Sequence, residues 1–299
     1  MLKTVALLLD EVRNRYQQLL LEDARAVAAS RQLKLLDPQY ADGSSWNQLE
    51  CINDYLRQST PPDGMLVLLA GEQHTGGWLE RAISKNVATV FLNRVPSWLA
   101  DIRKKTQSGL VTAVAPTQRA VGELQGAQAL KLSPPGGFIV LITGAAKSAT
   151  AVERQRGFMD AIRGQRTICA LDGRWSMQEA DNTITEWFKV GAERARAIDL
   201  IVCQNDPMAL GARRALDRRV RVAGRHEAAK TPIIGCDGLN DEGKAWVKDG
   251  SLTATVVLPS TTPAALDLLS RYWSTGARMD EVHLDVESFP PLHRLHARS

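Results

Sequence analysis

The sequence predicts an α/β protein of two side-by-side, doubly wound lobes. Three observations carry that prediction. Apolar runs of four or five residues alternate with amphipathic stretches along the whole chain, which implies parallel strands with helices on both faces. There are eleven such runs in 299 residues, too many for one ordinary doubly wound sheet, and the length itself suggests about two domains. Finally, two of the runs end in acids followed by helix-like sequence, the construction expected at the carboxyl end of a parallel strand.

Taken in order, the first strand is predicted at 5–9 (VALLL), followed by a helix over 16–29. Strands follow at 33–36, 65–69, 88–92 and 110–114, the fourth of the series ending in Asn93-Arg94. A helix over 119–132 leads to Ser133-Pro134-Pro135-Gly136-Gly137, the strongest turn signal, read as a loop before a strand inside the second lobe. Beyond it, strands at 138–142, 168–171, 200–203 and 233–236 alternate with helices over 150–162, 180–195 and from Pro207 onward. Proline at the first turn of that last helix loses nothing by lacking an N–H. A helix-like stretch through Trp246 and Val247, a strand at 253–257, a helix over 263–273 and a strand at 283–286 complete the series.

Composition narrows the function classes. No apolar run approaches the ~18 residues needed to cross a membrane. The start, MLKTVALLLD, has one positive charge and an apolar run too short for a leader core, so it reads as the first strand. Two readings stay open, a cytoplasmic protein or one whose targeting segment has been removed. Cys51, Cys169, Cys203 and Cys236 are scattered without CxxC spacing, three of them in strand-like runs where thiols behave as small hydrophobes. The five histidines form no His-Glu-x-x-His arrangement, so no metal is expected. The net charge of +4 is too mild to drive nucleic-acid binding. The basic stretch from Arg213 to Arg221, with Arg225 and His226 after it, has no interleaved aromatics. It reads as the solvated face and C-terminus of a helix, where cations complement the dipole. No nucleic-acid partner is expected.

Catalytic signatures are missing as well. Gly144-Ala145-Ala146-Lys147-Ser148 follows a strand and has the Lys-Ser pair of a phosphate loop. Ala146 and Leu141 stand where that loop requires its two glycines, so the backbone could not wrap a phosphate. No Gly-x-Gly-x-x-Gly follows the first strand and no Gly-x-Ser-x-Gly elbow occurs. No cofactor and no catalytic residue is predicted.

The most informative stretch is Gln204-Asn205-Asp206-Pro207-Met208-Ala209-Leu210-Gly211-Ala212 after the run DLIVC, with the same construction at Gly235-Cys236-Asp237-Gly238. A buried carboxylate without a partner is costly, so each acid is either bonded within its loop or meets a polar ligand. These motifs, with Arg154-Gln155-Arg156-Gly157-Phe158 before them and Asp249-Gly250-Ser251-Leu252-Thr253-Ala254-Thr255-Val256 after, resemble the type I periplasmic sugar-binding proteins, the group of ribose-binding proteins and lac-repressor-like effector domains. The resemblance covers nearly the whole chain. It implies two Rossmann-like lobes joined by three crossing segments and closing on a ligand, the first lobe spanning 1–115 plus 259–280 and the second 116–258 plus 281–299.

The resemblance also implies a ligand-binding set of Tyr16, Asn93, Arg94, Arg154, Trp175, Asn205 and Asp237. A sugar has an apolar face that stacks on rings and a rim of hydroxyls needing donors and acceptors. Tyr16 and Trp175 would supply the rings, Arg94 and Arg154 planar donor forks, and Asn93, Asn205 and Asp237 the remaining polar contacts. Each has a bland alternative: exposed arginines, core aromatics, or Asp237 as a helix cap. Departures from the pattern are Gln17 in place of a second aromatic, Leu258 in place of a glutamine, Pro116 in place of an acid, and the atypical loop at 70–74. Glu72 or Gln73 in that loop would supply replacement contacts. The expected function is binding of a sugar or similar small molecule for an ABC-type transporter, with the permease or a sensor as partner. A cytoplasmic ligand sensor and an enzyme acting on a nucleotide-like substrate are the alternatives.

Overall fold

The computed structural model describes residues 2–71, 77–106, 108–190, 198–223 and 231–296. Along the chain lie β1 (Thr4–Leu9), α1 (Arg15–Ser30), β2 (Lys34–Leu35), β3 (Gln39–Tyr40), α2 (Ser45–Arg57), β4 (Gly64–Val67), α3 (Trp78–Ser84), β5 (Ala88–Leu92), α4 (Leu99–Lys105) and β6 (Val111–Pro116). There follow α5 (Gln118–Leu132), β7 (Phe138–Thr143), α6 (Ala149–Ile162), β8 (Thr167–Asp172), α7 (Met177–Val190), β9 (Ile198–Cys203), α8 (Asp206–Ala223), β10 (Ile233–Asp237), α9 (Gly243–Lys248), β11 (Ala254–Val257), α10 (Thr262–Thr275), β12 (Val282–Leu284) and β13 (Glu287–Phe289). They form two α/β units, Met1–Pro116 with Pro259–Leu284, and Thr117–Leu258 with Asp285–Ser299.

The first unit is a parallel sheet in the order β12-β6-β5-β4-β1-β2, with β3 also on β1. Strands β4, β5 and β6 are buried along their whole length, as expected where helices cover both faces, and this is why they read as unbroken apolar runs. On one face Ile52, Leu56, Leu79 and Leu99 join an aromatic chain in which Phe91 meets Trp78 and Trp98 edge-on at 6.1 and 5.3 Å. Helix α10 belongs here too, its Thr262 hydroxyl donating to the Leu20 carbonyl at 2.9 Å. Instead of one strand at 33–36 the structure has two short strands, β2 on the start of β1 and β3 on its end. Pro38, which lacks an N–H and restricts its predecessor, lies in the gap between them.

The second unit has the order β13-β11-β10-β9-β7-β8. All pairs are parallel except β13, which runs antiparallel on β11. The single strand expected at 283–286 is therefore two: β12 pairs with β6 of the first unit and β13 with β11. The crossing falls after Leu284, four residues beyond the expected 280. Helices α5 and α6 pack backbone to backbone. A Cβ added at Gly122 would sit 1.9 Å from the Arg154 carbonyl oxygen, and one at Gly157 would sit 2.0 Å from that of Arg119.

The basic face of α8 is more engaged than a solvated face. Arg213 donates to the Ser251 and Thr231 carbonyls, Arg218 pairs with Asp181, and the Arg219 guanidinium lies 4.2 Å from the Phe188 ring centroid. Arg225 and His226 lie outside the described residues, as do residues 191–195 of the helix expected over 180–195. Among the described residues no helix is long and apolar enough to cross a membrane, and no three His, Cys, Asp or Glu side chains are grouped to hold a metal.

Candidate functional site

In the second unit, the carboxyl ends of β7, β8, β9 and β10 present Gly144, Trp175, Gln204 to Asp206, and Asp237. Trp175 and its predecessor Arg174 both have left-handed backbone, at φ 63° and 50°. Such a pair persists only where its surroundings hold it. The Asp172 carboxylate accepts the Arg174 N–H at 3.0 Å, and the Asn205 amide donates to the Trp175 carbonyl at 3.1 Å. The indole lies flat against Gly144, where a Cβ would come within 2.0 Å of the ring.

Arg154, on α6, is 3% exposed. Its Nε donates to Gln118 Oε1 at 2.8 Å, and Nη1 donates to the Gln204 carbonyl. The guanidinium carbon stands 5.6 Å from the Trp175 ring centroid. Gln204 in turn accepts the Gly144 N–H at 2.9 Å and donates to the Ala151 carbonyl at 2.9 Å. Asn205 caps α8, its Oδ1 accepting the Met208 N–H at 2.9 Å. One Asn205 N–H and one lone pair are left beyond these two bonds.

Asp206 is fully buried and accepts from Thr255 Oγ1 and the Gly238 N–H, each at 2.7 Å. Burial pushes its pKa up to about 7, against the two hydrogen bonds. Asp237, at φ 121°, is also raised well above the usual carboxylate range, first by burial and then by the charge of Asp206.

These shifts fix a pH dependence. An acid whose pKa is higher in the folded protein than in the unfolded chain binds more protons when folded. Its stabilisation is complete below the unfolded value near 4 and is lost as pH rises through the folded value. For Asp206 the loss amounts to roughly 3 kcal/mol between pH 5 and pH 8, and Asp237 acts in the same direction. Urea unfolding at the two pH values is expected to show the weaker protein at pH 8. Equal or greater stability at pH 8 would contradict the assignment.

In the first unit the corresponding strand ends bring Tyr16, Asn93 and Arg94 together. Arg94 Nη2 donates to the carbonyls of Leu69 and Gly71 at 2.9 and 2.5 Å, fastening the end of the β4 segment. Asn93 has left-handed backbone at φ 65°, and its Oδ1 is 3.5 Å from the Tyr16 hydroxyl. Tyr16 is 7% exposed and donates to the Pro259 carbonyl at 3.1 Å. Its ring is packed into the unit and its hydroxyl holds the chain where it returns from the second unit. Gln17, which stands where the resembled family carries a second aromatic, accepts the Asp10 and Glu11 N–H groups at 2.7 and 3.0 Å. Asp10 accepts the Gly43 N–H at 2.9 Å; burial raises its pKa, and Gly43 and Arg94 draw it back. Glu72 and Gln73 lie outside the described residues.

Gln118, Gln204 and Asp206 build the second face and were not among the expected site residues. The signal for Asp206 was present in its strand-end position. Gln204 stood in the same stretch without being singled out, and Gln118 gave no local signal, since its partner Arg154 is 36 residues distant in sequence.

Two doubly wound units with polar strand ends, one carrying a buried arginine beside an indole, define the two-unit, doubly wound α/β class. The model of the periplasmic binding protein domain matches residues 5–265, and the chain belongs to that family. It is 31% identical over 157 residues to the ribose import binding protein of Salmonella typhimurium, covering 52% of this chain and 49% of that protein. It is 28% identical over 157 residues to the D-allose-binding periplasmic protein of Escherichia coli, covering 51% and 47%. The chain thus spans about half the length of the curated relatives it matches. Its fold is that of a periplasmic solute-binding protein of an ABC transporter from Actinobacillus succinogenes, solved with D-allose, at a TM-score of 0.81, 18% identity and 96% coverage of both chains.

Proposed function

We propose that the protein binds a sugar or polyol and delivers it to the permease of an ABC import system, working in the periplasm as its family's name implies. One observation supports the reading: Arg154, Trp175 and Asp237 share one strand-end face, which gathers a donor fork, an aromatic ring and a carboxylate, the kinds of group a polyhydroxylated ring needs. Tyr16, Asn93 and Arg94 gather at the strand ends of the other unit, and we assign them to ligand contact from that unit. Asn205 acts chiefly by fixing the Trp175 loop. The ligand is bound without being transformed.

A thermal-shift screen against pentoses, hexoses, inositols, nucleosides and amino acids tests this. A ligand at about 100 times its Kd stabilises by roughly 2.7 kcal/mol, several degrees for a chain of this size. A rise with one group of sugars or polyols is the expected result. A rise confined to nucleosides or amino acids would discard the ligand class, and turnover of any compound would replace binding with catalysis.

A further inference from the structure

Asp206 occupies a compartment built for a carboxylate. A Cβ added at Gly235 would lie 2.0 Å from its Oδ1, and one at Gly243 would lie 1.9 Å from its Oδ2. With those glycines leaving the space, the side chain reaches Gly238 beyond β10 and Thr255 in β11 while its own backbone opens α8 after β9. One side chain thus fastens three consecutive strands. The coupling is reciprocal, because after burial itself the charge of Asp206 does most to raise the Asp237 carboxyl. Asp237 holds φ 121°, a region costly for any residue with a Cβ. The bond from the next residue's N–H into Asp206 keeps it there.

We propose that Asp206 is a positioning residue for Asp237, setting its backbone and carboxylate for the ligand, so that ligand affinity follows the protonation of Asp206. The proposal rests on the reading of Asp237 as a sugar-facing group. The charged and titratable groups around Asp206 are Asp237 on β10, Glu242 before α9, Arg154 on α6, and the Cys203 and Cys236 thiols, both raised by burial and so neutral. Three acids face one arginine in a buried space. A ligand covering Asp237 removes water from the pair, which makes a second negative charge harder to hold. Binding then takes up a proton as pH rises past neutrality, and affinity falls.

The test combines carboxyl-carbon NMR titration of the ligand-free protein with calorimetry using D-ribose, D-allose and myo-inositol at pH 6 and pH 8.5. In the wild type, Asp237 is expected to show a titration step that moves to lower pH in Asp206→Asn, where the neighbouring charge is gone. Affinity for the sugar that binds should fall about tenfold across the interval, the effect of a one-unit rise in the Asp206 midpoint, and be flat in Asp206→Asn. Should that variant not fold, Thr255→Val removes one donor to the Asp206 carboxylate, keeps that acid protonated to higher pH and should likewise move the Asp237 step downward. An Asp237 titration unchanged in both variants, or a wild-type affinity independent of pH, overturns the proposal. If none of the three sugars binds while the Asp237 step still moves, the positioning role stands and the sugar reading falls.

Discussion

Gly157→Ala is expected to destabilise the second unit by about 3 kcal/mol, the upper part of the range for overpacking. In an exposed helix the same change would stabilise by up to about 1 kcal/mol, because alanine loses less backbone freedom than glycine on folding. Here the sign reverses. The new methyl would stand 2.0 Å from the Arg119 carbonyl oxygen, with the Arg119 carbonyl carbon and the Glu123 nitrogen at 2.9 and 3.0 Å. All three are backbone atoms of α5, so no side chain can turn aside, and the two helices must separate. Gly122→Ala presses on the same seam from the other side, against the Arg154 carbonyl, and should behave alike. Urea denaturation of both variants measures the effect. A Gly157→Ala protein as stable as wild type would show that α5 and α6 do not pack this closely. The cost should extend to binding, since Arg154 lies one turn before Gly157 on α6.

Arg154→Ala should severely weaken binding of whichever sugar shifts the wild type, with affinity falling by at least about thirtyfold, the cost of 2–5 kcal/mol typical of truncating a buried hydrogen-bonded charge. The variant leaves the Gln118 oxygen and Gln204 carbonyl without their donor, each lost bond to a charged group costing about 1.5–3 kcal/mol. It also removes the cation that offsets Asp206 and Asp237, pushing both acids further up. Arg154→Lys tests geometry against charge. An ammonium keeps the positive charge but lacks the planar fork that serves Gln118 and Gln204 at once. Calorimetry should find the lysine protein nearly as impaired as the alanine protein. Wild-type affinity in Arg154→Lys would reduce the residue to a point charge.

What the sequence could show differed between strands and contacts. Strand β5 was read at 88–92, the bounds it has in the structure, because all five of its residues are buried. Burial on both faces leaves a continuous apolar run that needs no partner to be recognised. The division of 33–40 into β2 and β3 was not legible, because pairing two residues at a time leaves no pattern longer than the noise of a loop. Nor was the reversal of β13, since three residues of mixed burial carry no direction. In the candidate site, the resemblance pointed to Arg154 and Trp175 and the strand end to Asp237, but neither could show the partners that orient them. Asn205 was expected to meet the ligand; its amide also spans from α8 to the Trp175 carbonyl, 30 residues away, a contact no local pattern encodes. Tyr16 was expected as a stacking ring, yet helix periodicity places a buried face without saying how deep each ring lies.

The passage of the chain from the first unit to the second and back has a consequence for synthesis. The ribosome releases β1 to β6 first, but α10, which packs on α1, and β12, which pairs with β6, come from residues 262–284. Until those residues emerge, the nascent first unit exposes the sheet edge of β6 and the surface of α1 that α10 will cover. The second unit, once residue 258 has been made, lacks only the segment from Asp285, which carries the edge strand β13 and the core residue Leu295. Domains generally mature as units during translation, so here the C-terminal half should become protease-resistant on the ribosome before the N-terminal half. A nascent chain halted near residue 258 is the form that most needs a chaperone.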